Sequence, residues 1–243
     1  VGIRSVLVKG QGPATGVVAS TSAFQIQGSI AVGIENLAIL SVGNQPAISV
    51  QSAGRLSLQK LLIAVLDVTG DARASAIALE GAVLEAEISD NIVFAVTGIL
   101  ANDPTVPRDD GAPEPLLLAA ALSIRDNIFL CRQRSVALDE RVLHIFGTEI
   151  RDNHAFASSI AAISTLGVAL AGSSMTIAGN CVFASGAGIR SSCDGLWITD
   201  NKLHNTAADD QTVGIAIRAG LVRTGTNMAQ ILANQIDGYG QAG

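Results

Sequence analysis

Two Arg-Asp-Asn segments are the part of the sequence best suited to chemistry. They are Arg125-Asp126-Asn127 and Arg151-Asp152-Asn153, and His154 follows the second directly. An arginine can hold a carboxylate through two parallel hydrogen bonds, and a correctly placed side chain can abstract a proton. A surface with stacked arginines, stacked aspartates and one histidine would therefore suit an acidic sugar.

Two further aspartates, Asp90 and Asp200, precede an asparagine in similar segments, with Gly179 at the same place between Asp152 and Asp200. The candidate binding residues are thus Arg125, Asp126, Arg151, Asp152, His154 and Asp200. The competing interpretation is structural: an outward strand position must be polar, and alternating charges on neighbouring strands relieve repulsion. We favour it, because Trp197 and Tyr239 stand alone and no row of Tyr and Trp offers sugars a stacking surface.

An internal repeat predicts the elements that carry these residues. An aliphatic residue, two spacers, an asparagine and one or two apolar residues recur in six close copies. Their asparagines are Asn91, Asn127, Asn153, Asn180, Asn201 and Asn234. A second phrase, apolar-x-apolar often after Gly or Ala, precedes the first, as in Gly167–Leu170 and Gly214–Ile217, and the distance is nine residues both from Val168 to Ile177 and from Ile189 to Ile198. The repeat unit is 21 residues between Asn180 and Asn201, and longer gaps elsewhere indicate inserted loops.

The apolar residues within each phrase alternate with other residues, which indicates strands. Ser75–Ile88 and Met228–Ile236 have compositions that favour helix. Both segments are in register with Gly-rich copies that cannot be helical, so we predict strands there too. Strand pairs repeated at 20 to 25 residues, each unable to bury its apolar side alone, predict a solenoid of parallel strands.

With these phrases the sequence resembles the right-handed parallel β-helix proteins of the pectate-lyase-like group, over about residues 28–240. The resemblance implies that the six asparagines stack inside one corner as a ladder of amides. We therefore expect an all-β, single-stranded right-handed parallel β-helix of about nine or ten coils. Residues 1–243 would form one domain, with a loop inserted at about 101–116, where four of the six prolines lie. We expect it to be a fragment of a longer chain, with the solenoid ends covered by other domains or other protein chains.

Composition excludes several classes of function. A formal net charge of −6 with only 15 Lys and Arg argues against nucleic acid as a partner. The most apolar segment, 155–171, contains serines, a threonine and a glycine, and does not reach the roughly 20 apolar residues of a membrane span. Cys131, Cys181 and Cys193 are an odd number without a C-x-x-C motif, so we expect buried thiols, a Cys181–Cys193 disulfide being the alternative. A secreted or surface-exposed location is favoured.

Two classes of function remain open. The first is a non-catalytic structural or surface module, such as a spacer, an adhesin or a particle component, with weak glycan binding at most. The second is a diverged lyase or hydrolase of an acidic polysaccharide, and calcium is expected only in this case. The second is disfavoured, because Leu196–Asn201 resembles the W-I-D-H phrase of pectate lyases without its histidine. Polygalacturonase and alginate-epimerase phrases are also absent from the sequence. No metal site is predicted.

Overall fold

The computed structural model describes residues 5–67, 74–101, 117–138, 142–157, 161–166, 168–169, 173–193, 195–207, 212–217 and 229–239. All regular secondary structure in these ranges is β-strand. The strands are β1 (Ser5–Lys9), β2 (Gly16–Ala19), β3 (Phe24–Glu35), β4 (Ala38–Val42), β5 (Ile48–Gln59), β6 (Leu62–Leu66), β7 (Ser75–Ser89), β8 (Ile92–Ala101), β9 (Leu117–Arg125), β10 (Ile128–Leu138), β11 (Val142–Arg151), β12 (His154–Ala157), β13 (Ala161–Thr165), β14 (Val168–Ala169), β15 (Ser174–Ala178), β16 (Cys181–Ala184), β17 (Ala187–Ser191), β18 (Leu196–Thr199), β19 (Lys202–Asn205), β20 (Ile215–Ile217), β21 (Ala229–Leu232) and β22 (Gln235–Asp237).

The strands form parallel stacks, in which each strand pairs with its equivalent one coil away. The first stack runs through β1, β3, β5, β7, β9, β11, β15, β18 and β21. The second stack runs through β2, β4, β6, β8, β10, β12, β16, β19 and β22. A third stack is formed by the first parts of β3, β5 and β7 and the last parts of β8 and β10. It continues through β13, β17 and β20. Parallel strands connected in this way make a solenoid, as predicted, but the described residues form about seven turns rather than the nine or ten coils expected.

Both sequence segments whose composition favoured helix are extended where the structure describes them. Ser75–Ser89 is the single strand β7, and 229–237 contains β21 and β22. Pairing with neighbouring coils therefore overrides local helix propensity, as the repeat predicted. The right hand of the solenoid and the single-domain boundaries stay predictions, and most of the predicted loop, 102–116, lies outside the described residues.

A corner of left-handed backbone separates the first stack from the second. At eight successive corners, which enclose seven turns, the corner residue has a positive φ between 54° and 67°. These residues are Asn36, Lys60, Asp90, Asp126, Asp152, Gly179, Asp200 and Ala233. Asn, Asp and Gly adopt this conformation most readily, which explains why they fill six of the eight places. The corner turns the chain so that the next strand begins two residues later.

The predicted asparagine ladder lies directly inside this corner and is confirmed. The side-chain amide of Asn127 donates to Oδ1 of Asn153 at 2.9 Å, and the backbone N–H of Asn127 donates to the same oxygen at 3.0 Å. The same pair of bonds links each member to the next from Asn91 to Asn234. At the start of the ladder, Oδ1 of Asn91 accepts the backbone N–H of Leu61. Each buried amide thus meets both its donor and its acceptor requirements.

The interior beside the ladder is a column of stacked aliphatic side chains. Ile88, Ile124, Ile150, Ile177 and Ile198 are fully buried and pair in register from coil to coil. Phe129, in β10, is the bulkiest of the fully buried side chains. A thin interior built from one residue type repeated each coil explains how a chain with 3% aromatic residues fills its core.

Candidate functional site

The candidate aspartates owe their positions to the left-handed corner. Asp126, Asp152 and Asp200 have φ values of 57°, 54° and 57°, and all three are exposed. Their backbone N–H groups continue the parallel pairing, for example from Asp126 to the carbonyl oxygen of Arg151 at 3.2 Å. The aspartates are therefore corner residues rather than outward strand residues, which corrects the structural interpretation of the sequence. Their conformation is one that Asp adopts more readily than most other residues.

Arg125 is held by two carboxylates of its own chain. Its Nη2 donates to Oε1 of Glu87, one coil earlier, at 2.5 Å, and its Nη1 donates to Oδ2 of Asp126 at 3.1 Å. These hydrogen bonds, the one to Glu87 first, raise the pKa of Arg125 above its ordinary value. The three side chains are between a third and a half exposed, so each pair is worth about 1 kcal/mol or less.

Arg151 lies beside Arg125 but has a different partner. The strand register places Arg151 opposite Arg125 in neighbouring coils, as the repeat predicted. The guanidinium Nε of Arg151 is 3.6 Å from Oε2 of Glu149 on the same strand. Glu87 and Glu149 were not among the sequence candidates. Each glutamate lies two residues before the strand position that Arg125 and Arg151 occupy in their own coils, so the repeat could have indicated both of them. That Arg125 pairs with Glu87 could not be predicted, because it depends on which coil lies next to Arg125.

His154 lies around the corner from the arginines. It belongs to the second stack, between Ile128 in the preceding coil and Cys181 in the following coil, and it is exposed. Arg125 and Arg151 belong to the first stack. The predicted surface that combines arginines, aspartates and this histidine is therefore divided between two sheets that meet at the corner.

The other two histidines are part of the packing. His144 is fully buried, and its Nδ1 lies 2.7 Å from Oγ1 of Thr148. Burial lowers the pKa of His144 to about 4, so the ring is neutral at pH 7. The ring of His204 stacks on Phe183, which in turn stacks on Phe156 at a centroid distance of 4.8 Å.

The three cysteines are free, so the predicted alternative of a Cys181–Cys193 disulfide is wrong. Cys131 and Cys193 are buried as predicted, whereas Cys181 is half-buried. Burial raises the pKa of Cys131 to about 12, which keeps this thiol protonated and unreactive. Within the described ranges, no group of three or more His, Cys, Asp or Glu residues is arranged to hold a metal ion. The acidic loop residues Asp103, Asp109, Asp110 and Glu114 lie outside those ranges.

No helix in the described part of the chain is long and apolar enough to cross a membrane. Comparison of the sequence with protein-family models and with curated proteins, and of the structure with solved structures, finds no match. The parallel solenoid with its asparagine ladder is therefore established by the strand register and the hydrogen bonds of this chain alone.

Proposed function

We propose that this chain is a non-catalytic structural module, a rigid spacer or surface component with the right-handed β-helix architecture of the pectate-lyase-like group. The observation that carries the proposal is the pairing of Arg125 with Glu87 and Asp126. A guanidinium group that already bonds two carboxylates has little to offer an acidic sugar. A polyuronate would have to displace Glu87 from the best-formed of these bonds before it gained any of its own.

Rigidity supports the same proposal. The ladder links six coils from Asn91 to Asn234. Its first five asparagines are buried, and each is bonded to the asparagine of the next coil and to a backbone carbonyl of the preceding coil, such as Asn153 to the carbonyl oxygen of Ile124 at 3.0 Å. Buried polar networks whose members are all satisfied make a structure stiff and specific. A spacer needs this stiffness, whereas stiffness alone gives no reason to expect a catalytic cleft.

The aromatic side chains also favour a structural role over sugar binding. Phe156 and Phe183 stack with an angle of 4° between their ring planes, and His204 stacks on the other side of Phe183 at 17°. Sugars bind aromatic residues through the flat face of the ring. Because neighbouring rings cover the faces of Phe183, this row presents ring edges to the surface.

Calorimetric titration with oligogalacturonate tests the proposal. The parent chain and the double variant Arg125→Ala, Arg151→Ala are compared, with Arg55→Ala as a control that removes a different exposed ion pair, to Glu85. We expect no binding by any of the three proteins, and melting temperatures that differ little, because exposed ion pairs contribute about 1 kcal/mol or less. Binding by the parent and by the Arg55 variant, lost in the double variant, would overturn the proposal.

The alternative function is that of a diverged lyase or hydrolase of acidic polysaccharides. The register that places Arg125 beside Arg151 favours it, since two arginines on neighbouring strands about 5 Å apart can each hold one carboxylate of a uronate chain. Absorbance at about 235 nm reports the unsaturated uronate that a lyase releases from pectate or alginate. The assay is run with and without calcium, and growth of this band with the parent chain would replace the structural proposal by the enzymatic one.

The partners we propose for a structural module are other domains of its parent chain or other protein chains, at the ends of the solenoid. Leu232 and Ile236, in β21 and β22, are exposed apolar residues. In the described residues these strands pair with β18 and β19 on one side. An open row of backbone donors and acceptors beside apolar side chains is a template for a further strand.

A further inference from the structure

The outward side of the second stack is apolar over most of its length. We call it the apolar face, and it consists of the outward side chains of β2, β4, β6, β8, β10, β12 and β16. Eight of its large apolar members are at least 37% exposed: Val18, Val42, Leu66, Ile92, Phe94, Ile128, Leu130 and Phe156. The strands beneath them pair in register from β2 to β16, so these side chains form straight columns along the solenoid, one of which is interrupted by His154. Exposed apolar residues scattered singly are ordinary, but a continuous sheet face of them marks an interaction site.

Charge is confined to the borders of the apolar face. The exposed carboxylates of Asp90, Asp126 and Asp152 line the border at the left-handed corner, and the opposite border carries the exposed Arg132 and, directly after β6, Asp67. Between these two borders, no outward residue of the second stack from β2 to β10 carries a charge. An apolar centre with a polar rim is the anatomy of a protein–protein interface.

The size of the apolar face matches what an interface between two protein copies needs. The seven strands of the apolar face, each about 4.8 Å wide, span about 34 Å, and their outward residues with the borders are about 15 Å wide. Two such surfaces pressed together remove roughly 1,000 Å² from water, which is about what a specific interface needs. A flat sheet also fits best against another flat sheet, as in sandwiches of two sheets about 10 Å apart.

We propose that the apolar face is a homodimer interface, covered by the same face of a second copy of this chain. Two identical flat surfaces are complementary to each other by construction, and two-fold dimers are the commonest soluble oligomers. The proposal goes beyond the structural role proposed above and does not depend on it, because the arginines lie on the first stack. The dimer proposal holds whether or not the chain binds glycan at the arginines of the first stack.

The charges at the borders select a parallel arrangement of the two solenoids. A two-fold axis parallel to the solenoid axis places the corner border of one copy over the opposite border of the other, so that Asp126 faces the side that carries Arg132. A two-fold axis across the solenoid places the Asp rows of the two copies over each other, which brings like charges together. The parallel arrangement avoids this repulsion.

Sedimentation velocity over a wide range of protein concentration tests the interface. The variant Phe94→Lys, Leu130→Lys charges the centre of the apolar face, and the matched control Ala121→Lys, Ser174→Lys adds the same charge at exposed positions of the first stack. Long lysine stems cover apolar surface while the ammonium reaches water, so both variants should fold, which the strand signal in circular dichroism checks. We expect the parent and the control to dimerise, and the face variant to dimerise at least tenfold more weakly.

A monomeric parent at every concentration, or a face variant that dimerises as well as the parent, would overturn the proposal. Orientation is tested by cross-linking single-cysteine variants with a thiol-specific linker, in a Cys181→Ser background, because Cys181 is the half-buried thiol. A mixture of Asp126→Cys and Arg132→Cys should give cross-linked heterodimers. Cross-linked dimers from Asp126→Cys alone, without heterodimers in the mixture, would show the antiparallel arrangement and contradict the parallel one.

Discussion

Asn153 gives two hydrogen bonds to one atom of Asn180. Its backbone N–H and its side-chain amide both donate to Oδ1 of Asn180, each at 3.0 Å. The side chain of Asn153 therefore fixes the coil above it as firmly as its backbone does. The same relationship recurs along the ladder, so the loss of one member leaves unpaired groups in the coils on both sides.

Replacement of Asn153 by alanine should destabilise the solenoid. The backbone N–H and the amide of Asn127 would lose their common acceptor, and Oδ1 of Asn180 would lose one of its two donors. Buried polar groups left without partners cost about 1–3 kcal/mol. Urea denaturation measures the free energy of unfolding, and Asn234→Ala, at the partly exposed end of the ladder, is the control that should lose less. Equal losses at the two sites would contradict this account.

Substitutions at Asp152 should separate its backbone role from its charge. The left-handed φ of 54° suits Asn and Gly but strains a β-branched residue, so Asp152→Val should cost about 1–2 kcal/mol. Asp152→Asn removes the charge and keeps the conformation, and it should change the free energy of unfolding by about 0.5 kcal/mol or less. Thermal denaturation of both variants in low salt decides the matter. A loss for Asp152→Asn as large as that for Asp152→Val would show that charge rather than conformation selects Asp.

Phe129 and Leu130 are neighbours on β10 that point to opposite sides of the sheet. Phe129 is fully buried, whereas Leu130 is 38% exposed on the apolar face. Phe129→Ala should therefore cost about 3–5 kcal/mol, and Leu130→Ala about 1 kcal/mol or less when measured on the monomer. Denaturant titration at low protein concentration provides both values. A larger loss at Leu130 than at Phe129 would mean that the two sides of the strand are reversed.

His144 should make the stability of the chain depend on pH. Burial lowers its pKa from 6.5 to about 4 in the folded state, so the unfolded chain binds a proton more readily. The contribution of neutral His144 is complete above about pH 6.5, falls as the pH drops toward 4, and levels off below that. A shift of this size corresponds to roughly 3 kcal/mol. Urea midpoints from pH 7 to pH 4 should therefore fall more steeply for the parent than for His144→Gln.

The carboxylates of the chain contribute equally to the pH dependence of both proteins, so the difference between the two curves isolates His144. Parallel curves for the parent and His144→Gln would contradict the prediction. A lower stability of the glutamine variant at pH 7 would not, because it reports lost packing, which is the same at each pH.

The asparagine ladder and the stacked strands were predictable, because a solenoid repeats the same local environment in every coil. An interior position that requires an amide requires it again about 21 residues later, so Asn180 and Asn201 are visible in the sequence as a period. The same logic predicted that Arg125 and Arg151 are neighbours. It also predicted that Ser75–Ile88 is extended despite a helix-favouring composition, and this segment lies within β7.

The surface was not predictable to the same degree. Alternation identifies the outward side of a strand when that side is polar, but Ile92–Ala95 is apolar at every position, so the pattern does not show which residues face the solvent. The corner at Asp152 separates Arg151 from His154, two residues that are close in sequence and lie on different sheets.

The period, the strands and the ladder of this protein follow from residues that recur at the same place in every coil. The pairing of Glu87 with Arg125 and the apolar face of one sheet follow only from the folded chain. The reason is physical: an ion pair between residues 38 positions apart depends on the length of the loop between two coils. The direction of each side chain likewise depends on where the backbone turns at the corner.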